Sequence, residues 1–393
     1  MKTEKKLYSD EKPKNKTVYH IIDKIIKSKY EIRFNMTSHD YEIRLKGYKK
    51  WHKLNLESLM IELETRKIKA SYTNMGIYLK SYFVDKYDPI KIYFEKLPEW
   101  DKEDHIKKYA GYVPMIDQEQ FAYHFKKWLV RAVRCALEPL YINKQCIVLV
   151  HPGQNSGKSS WCRHLCPNEL KNYYTEDLGY GKDANIQLAK NFLIAFDDLE
   201  GEKRNEISQK KALMSKQTIN ERLPYDRNNT VLPRRSSFIG STNNLLFLKD
   251  ETGSVRWLGF EMNGNINFNY REEVDLNQVW SQAYYLAYND KNFQPELTRE
   301  DIRINEKRNS KYRELTPEEE IITKYYEHSS NKDDFITATE VVNTLNCLNI
   351  KLNTTSMGKA LTSRKFTRIK CSKRQVYGYL AKPLFLDSPW EIK

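Results

Sequence analysis

The stretch HPGQNSGKSS, from His151 to Ser160, holds the residues of a phosphate-binding loop with one glycine out of place. The loop pattern is G-x-x-x-x-G-K-[ST]. Its backbone N–H groups surround the phosphates, its lysine reaches the β- and γ-phosphates, and its hydroxyl ligates Mg²⁺. Gly157, Lys158 and Ser159 fit this pattern, whereas Pro152 stands where the first glycine belongs and Gly153 follows one residue late. Gly153 then supplies the early turn, Pro152 fixes the chain before it, and Gln154, Asn155, Ser156 and Ser160 complete a cradle for nucleotide phosphates. A pattern with one defect also arises by chance, so its meaning depends on what accompanies it.

Hydrolysis of a phosphoanhydride needs carboxylates at the end of a neighbouring strand, to hold the metal and position a water. NFLIAFDDLEG (Asn191–Gly201) is an apolar run ending in acids. Asp197 is the choice for the Mg²⁺ shell beside Ser159, Asp198 for polarising the water, and Glu200 is held in reserve. The plain alternative is a polar strand end in solvent. A third run, SSFIGSTNN (Ser236–Asn244), ends in Ser241, Thr242 and Asn243, where an amide can sense the γ-phosphate. Alone, Asn243 and Asn244 read equally well as a turn pair. The order of strand and loop, strand and acids, strand and amide gives them weight together.

CIVLVH (Cys146–His151) reads as a buried parallel strand leading into the loop, and SSWCRHLC (Ser159–Cys166) as the helix after it. Three buried strands with polar C-terminal ends make an α/β core with a parallel sheet and its site at those ends. FAYHFKKWLVRAVRCALEP (Phe121–Pro139) reads as an amphipathic helix stopped by Pro139. Upstream, residues 18–110 read as a mixed α+β region. In it, IIDKIIKSKYEIRF (Ile21–Phe34) runs from helix to strand, and LNLESLMIELETRK (Leu54–Lys67) carries a helical stripe of Leu54, Leu56, Leu59, Ile61 and Leu63. YDPIKIYFEKLPEWDKEDH (Tyr87–His105) reads as a linker with short helical pieces, and INEKRNSKYRELTP (Ile304–Pro317) as a second linker. Beyond it come two capping boxes, TPEE (Thr316–Glu319) and TATE (Thr337–Glu340), a helix near Thr355–Arg364, and a basic hairpin, FTRIKCSKRQVYGYLA (Phe366–Ala381). That sequence of elements suggests a winged-helix module. The expected domains are a flexible tail at 1–17, the α+β region at 18–110, a P-loop ATPase at 111–300 and the winged-helix-like domain at 316–393.

The chain has 393 residues, a 40% hydrophobic fraction and a formal net charge of +14. Such a basic balance is the electrostatic footprint of a nucleic-acid binder, although a chain this rich in Lys, Asn, Ile and Tyr also reflects AT-rich codons. Cys135, Cys146, Cys162, Cys166, Cys347 and Cys371 form no disulfide framework and no zinc spacing; Cys162 and Cys166 flank His164 without further ligands. The apolar runs are too short to span a bilayer, and the polar start, MKTEKKLYSDEKPKNKT, is no secretory signal. The expectation is a cytoplasmic protein with no membrane partner.

The span from about Tyr87 to Phe260 resembles the virulence-associated protein E family of phage and mobile-element ATPases. Those proteins are helicase-like, with an AAA+ core close to superfamily 3 helicases. The resemblance runs through YDPIKIYFEKLPEWDKEDH, then Gln154, Gly157, Lys158 and Ser159, then FDDLE, then RLPYDRNNTVLPRRSSFIGSTN (Arg222–Asn243), then LKDETGSVRW (Leu248–Trp257). Two departures stand out. The family's Asp-Glu pair is Asp197–Asp198 here, and of two family arginines only Arg256 remains.

The resemblance implies a homo-oligomer, with a hexameric ring as one form, in which Arg256 reaches a neighbour's ATP. It implies that Arg222, Arg227, Arg234 and Arg235, with Lys216 as a weaker candidate, face a central channel and track single-stranded or forked DNA. In the C-terminal hairpin, Arg368, Lys373 and Arg374, among neighbours Arg364, Lys365 and Lys370, interleave with Phe366 and Tyr377 as a DNA-binding wing or as an ordinary solvated face. No primase active site is evident, so a separate primase is the expected source of priming. The leading expectation is an Mg²⁺/ATP-dependent helicase-like ATPase acting in replication of a mobile element. Two rivals remain: an ATP-switched DNA-binding initiator with little hydrolysis, and a P-loop kinase acting on a hydroxyl acceptor.

Overall fold

The computed structural model describes residues 17–179, 181–197, 199, 204–222, 229–248, 255–345 and 352–384. Contacts divide the chain into two compact units, Met1–Leu245 with Val255–Glu306, and Leu246–Ser254 with Lys307–Lys393.

In the first unit, α1 (Val18–Lys29) runs directly into β1 (Tyr30–Asn35), followed by β2 (Tyr41–Leu45) and β3 (His52–Lys53). Two capped helices follow. Asn55 accepts from the Ser58 N–H at the start of α2 (Leu56–Thr65), and Ser71 from the Asn74 N–H at the start of α3 (Tyr72–Lys80). β4 (Asp85–Tyr87) then pairs parallel with β1, giving the sheet order β3-β2-β1-β4. A small core of Ile22, Ile26, Leu59, Leu63, Met75 and Tyr78 lies between helices and sheet. Ile61 departs from the expected stripe and is 65% exposed. Two residues along a helix is slightly more than a half-turn, so a side chain between Leu59 and Leu63 points the other way.

The segment expected as a linker after Tyr87 is instead part of the main core. Asp88 caps α4 (Pro89–Glu95), with proline in its first turn, and the helix buries Ile90, Tyr93 and Phe94. Phe94 meets Phe192 and Trp280 edge-on, at 5.8 and 6.0 Å between ring centroids. After α5 (His105–Gly111), α6 (Gln118–Leu137) passes through the middle of the unit. It ends as expected before Pro139, with Glu138 extended. Its charged residues Lys127 and Arg131 are buried too. Lys127 pairs with Asp301 at 2.9 Å, and Arg131 donates to Asn143 Oδ1 at 3.2 Å and to the Pro295 carbonyl.

The main sheet follows. Its strands are β5 (Cys146–Val150), β6 (Tyr174–Thr175), β7 (Leu193–Phe196), β10 (Ser237–Thr242) and β11 (Trp257–Glu261), all parallel, in the order β11-β5-β10-β7-β6. Between them lie α7 (Lys158–His164), α8 (Gly181–Lys190), α9 (Arg204–Met214) and the two-stranded ribbon of β8 (Thr218–Glu221) and β9 (Thr230–Pro233). Every residue of β5, β7 and β10 is buried, as expected of a parallel sheet covered on both faces. After β11 come α10 (Tyr270–Glu273), α11 (Leu276–Tyr288) and α12 (Arg299–Asn309). The second expected linker is therefore largely helical. Its Asn305 is buried and donates to the Trp257 carbonyl at 3.0 Å, a tertiary anchor that low apolar content conceals.

In the second unit, Leu248 forms a parallel bridge with Arg313, and the Phe247 and Tyr312 rings lie 5.5 Å apart. Then come α13 (Pro317–Tyr325), β12 (Tyr326–His328), β13 (Phe335–Ile336), α14 (Ala338–Leu345), α15 (Thr354–Ser363), β14 (Thr367–Cys371) and β15 (Val376–Pro383). β15 pairs antiparallel with β12, β13 and β14. Both capping boxes form: Thr316 with Glu319, and Thr337 with Glu340.

Glu319 also receives the Ser363 hydroxyl at 2.6 Å and pairs with Arg313 at 2.5 Å, while only 1% exposed. Burial pushes its carboxyl up. The hydrogen bonds from Ser363 and Thr316, with the nearby Arg313 and Arg364 charges, outweigh burial and hold it below the ordinary value of 4.5. A depressed acid stabilises the fold above its unfolded pKa, and that contribution disappears as pH falls through the lower folded value. The urea midpoint of this unit's unfolding should therefore drop as pH falls below 4.5. Glu319→Gln should start lower at neutral pH and show a flatter acid limb; parallel limbs in the two proteins would contradict this assignment.

Candidate functional site

β5 delivers the chain to the loop, whose backbone passes twice through positive φ. Asn155 has φ of 56° and Gly157 φ of 91°, and Gly157 caps α7 in the left-handed region. Lys158, the first residue of α7, is 7% exposed. Its Nζ donates to the carbonyls of His151 and Gly153, both at 3.1 Å, to Ser156 Oγ at 2.9 Å and to Asn243 Oδ1 at 2.8 Å. The lysine and the amide picked from the end of β10 thus meet directly.

Asp197 follows β7 and receives the Ser159 hydroxyl at 2.6 Å and the Ser241 hydroxyl at 2.8 Å, both on Oδ1. The Leu199 N–H bonds to the Ser241 carbonyl at 3.2 Å, which ties the acidic turn to the end of β10. Residues 154–160, Asp197, Ser241, Thr242 and Asn243 line one cavity of about 370 Å³. One ammonium, several hydroxyls and one carboxylate therefore meet at the C-terminal ends of parallel strands, where α/β sheets bind ligands.

A hydroxyl and a carboxylate are hard oxygen donors, which suits Mg²⁺, an ion held by one or two protein oxygens with phosphates and waters supplying the rest. Among the described residues no group of three or more His, Cys, Asp or Glu is assembled as a metal cage. Cys162 and Cys166 are buried in the core, and burial pushes the Cys166 thiol up to about 12.

Asp198, Glu200 and Arg227 lie outside the described residues. Arg256 precedes β11 and donates to Ser215 Oγ at 2.9 Å. Lys216 donates to Asn185 Oδ1 at 2.6 Å, and Arg222 is exposed just after β8.

Arg234 and Arg235 need correction as DNA contacts. Arg234 is fully buried, with its guanidinium donating to the carbonyls of Asn143 at 2.7 Å, Ser236 at 2.9 Å and Met214 at 2.5 Å. Arg235 is held by Asp88 at 2.6 Å, the Ala136 carbonyl at 3.0 Å and Thr37 Oγ1 at 3.0 Å. Both guanidiniums join elements of the fold. In the second unit, Arg368 and Lys373 are exposed on the hairpin of β14 and β15. The Arg368 guanidinium lies 4.9 Å from the Tyr377 ring centroid, and Arg374 pairs with Glu340 at 2.5 Å.

Two features have no sequence signal. Ile266 and Phe268 close against Gly157, where an added Cβ would lie 2.9 Å from Phe268 Cζ and 3.1 Å from Ile266 Cβ. A second cavity, of about 640 Å³, shares Ser160 and is lined by Arg163, His164, Lys171 and Arg271, with Glu169 and Asp275 opposing them in charge. Burial, then the Arg271 and Lys171 charges, keep His164 below its usual range.

The fold and site define an α/β protein with a five-stranded parallel sheet whose chemistry-bearing side chains gather at one end. Residues 94–314 match the virulence-associated protein E-like domain, and the chain belongs to that family. It is also similar to the apo structure of the NrS-1 C-terminal region, at a TM-score of 0.52 and 12% identity over 94% of this chain and 100% of that one. A second apo form of that region gives 0.50 and 12%, over 93% and 100%. No curated protein sequence matches this one. Among the described residues no helix is long and apolar enough to cross a membrane.

The displaced glycine can be tested directly. Gly157→Ala meets both a left-handed backbone and a steric wall, and should lower stability by roughly 1–3 kcal/mol. At Gly153 a Cβ meets only the imidazole of His151, at 2.8 Å, and φ is ordinary. Gly153→Ala should therefore lower the melting temperature far less, as thermal unfolding of the two variants would show. Arg234→Met should lower stability by about 3 kcal/mol or more by stranding buried carbonyls, whereas Lys107→Met, exposed on α5, should shift it by less than about 0.5 kcal/mol. Equal melting temperatures for those two variants would overturn the burial argument.

Proposed function

We propose that this protein is an Mg²⁺-dependent ATP hydrolase with helicase-like action on DNA during replication of a phage or mobile element. The observation that carries the reading is the meeting of Lys158, Ser159, Asp197 and Asn243 at neighbouring strand ends. The family is consistent with it, and the loop, acid and amide follow β5, β7 and β10 in turn.

Lys158 then holds the β- and γ-phosphates. A phosphate oxygen competes with the neutral carbonyl and amide oxygens around its ammonium and, being charged, makes the stronger bond. Ser159 and Asp197 would hold Mg²⁺, which would supply positive charge to offset that of the phosphates. Asn243 aligns a water, and Asp198 polarises it. The water oxygen bonds to the γ-phosphorus, the bond to the bridging oxygen breaks, and ADP and phosphate leave. Arg256 is assigned to the ATP of a neighbouring subunit in a homo-oligomer, where such a residue contributes about 10³–10⁵ in rate in related chemistry. DNA is the proposed partner, with Arg222 and the hairpin cations Arg368 and Lys373 as contacts, the second unit acting as a winged-helix-like module and priming supplied by another protein.

ATP turnover should rise with single-stranded DNA and fall about 100-fold or more in Lys158→Ala and Asp197→Asn. ATP binding without turnover would replace the motor with an ATP-operated switch. Phosphate transfer to an added hydroxyl compound would replace both with a kinase. The arginine has its own test. Lys158→Ala retains Arg256, and Arg256→Ala retains the loop, so mixing these two inactive proteins should restore part of the turnover. No recovery on mixing would place Arg256 outside the neighbour's site.

A further inference from the structure

β2 and β3 are joined by a short turn, and the run from Lys46 to Lys53 reads KGYKKWHK. Seven of its eight residues are basic or aromatic, and no acid occurs between Glu42 and Glu57. The turn is firmly built. The Tyr48 N–H bonds to the Leu45 carbonyl at 3.1 Å, and Gly47 sits between with φ of 82°. The Lys46 N–H bonds to the Lys29 carbonyl at 2.9 Å, and β3 closes back on β2 through the pairs Glu42↔Lys53 and Ile43↔His52.

The acids nearby are already matched. Arg33 holds Glu42 at 2.6 Å, Arg44 holds Glu31 at 2.5 Å, and Lys53 holds Asp40 at 2.9 Å. The same two arginines fix the base of the loop. Their guanidiniums lie 3.9 and 4.4 Å from the Trp51 ring centroid, and Arg33 also lies 3.5 Å from that of Tyr87. Above this fixed base, Lys46, Lys49 and Lys50 are exposed and Tyr48 is 67% exposed.

We propose that this loop is a contact for single-stranded nucleic acid, with Lys46, Lys49 and Lys50 on backbone phosphates and Tyr48 stacked against a base. Excess cationic charge selects a polyanion, and an aromatic ring among the lysines adds a surface that unpaired bases use and paired bases cannot reach. None of these residues lines the cavity at Lys158, so the proposal is independent of the ATPase reading.

The test uses the whole protein without ATP. Fluorescence polarisation would follow binding to labelled oligothymidylate and to an abasic strand of equal length, over a range of salt. The triple change Lys46→Ala, Lys49→Ala and Lys50→Ala should weaken both strands about ten- to hundredfold at low salt, and reduce the logarithmic salt slope by about two. Tyr48→Ala should weaken oligothymidylate about fivefold or more while barely changing the abasic strand, and Tyr48→Phe should restore it. Wild-type affinity in the triple variant, or no binding by the wild type, overturns the proposal. So does equal loss on both strands in Tyr48→Ala, tighter binding to duplex, or loss confined to phosphatidylserine vesicles. The triple variant keeps every residue of the cavity at Lys158, so its ATP turnover without DNA should equal that of the wild type, which separates failure here from failure of the ATP site.

Discussion

The candidate site depends on the register between β7 and β10. Gly240 stands opposite Phe196, so the next residues, Ser241 and Asp197, come level where β7 ends. The 2.8 Å bond between them fixes the carboxylate on the side of the sheet where Ser159 reaches it. On the other edge of β10, Thr242 stands opposite Val150, the last residue before the loop. A slip of one residue would turn every side chain of a strand to the opposite face. It would separate Asp197 from Ser159 and Asn243 from Lys158 together. The whole constellation is therefore set by one alignment of three buried strands.

That alignment is clamped from the far end of the sheet by buried polar groups. Asn143, fully buried, accepts from Arg131 on α6 and donates to Ser237 Oγ at the start of β10 at 3.2 Å and to the Trp128 carbonyl at 3.2 Å. Its own carbonyl takes the Arg234 guanidinium, which also reaches the carbonyls at the end of α9. A cation at a helix C-terminus interacts well with the helix dipole and with carbonyls that lack partners in the helix. Trp128 Nε1 donates to the Gln145 carbonyl at 3.0 Å just before β5. The lead-ins to β5 and β10 are thus held by α6 and one arginine, and the strands deliver that alignment to the opposite end.

This division explains what the sequence made legible. The apolar runs of β5, β7 and β10 are local signals, and so are the polar residues that end them; the loop's Gly157, Lys158 and Ser159 are local too. Cap chemistry was equally readable, as at Thr316 and Thr337, because a cap lies within one turn of its partner. Failures occur where the partner is remote in sequence. The charged stretch around Asn305 reads as a linker until Trp257 is seen to accept its amide. The segment after Tyr87 reads the same way until Phe94 is found against Trp280. Ile266 and Phe268 belong to no motif and shape the loop only through the return of the chain after β11.

The charge of the chain shows the same limit in sharper form. A formal +14 points to an anionic partner without saying which cations face it. Arg234 and Arg235 form an adjacent basic pair and read as surface, yet both are consumed by the fold. Arg33 and Arg44 are likewise engaged with carboxylates and Trp51. The chemistry of the two cations accounts for this division. A guanidinium is weakly hydrated, planar and rich in fixed donors, so it serves carbonyls, carboxylates and ring faces inside a structure. An ammonium is strongly hydrated and remains in water unless, like Lys158 or Lys127, it is surrounded by oxygen acceptors. The guanidiniums of Arg33, Arg44, Arg234 and Arg235 are accordingly taken up by the fold, and the cations left facing solvent on the loop between β2 and β3 are lysines.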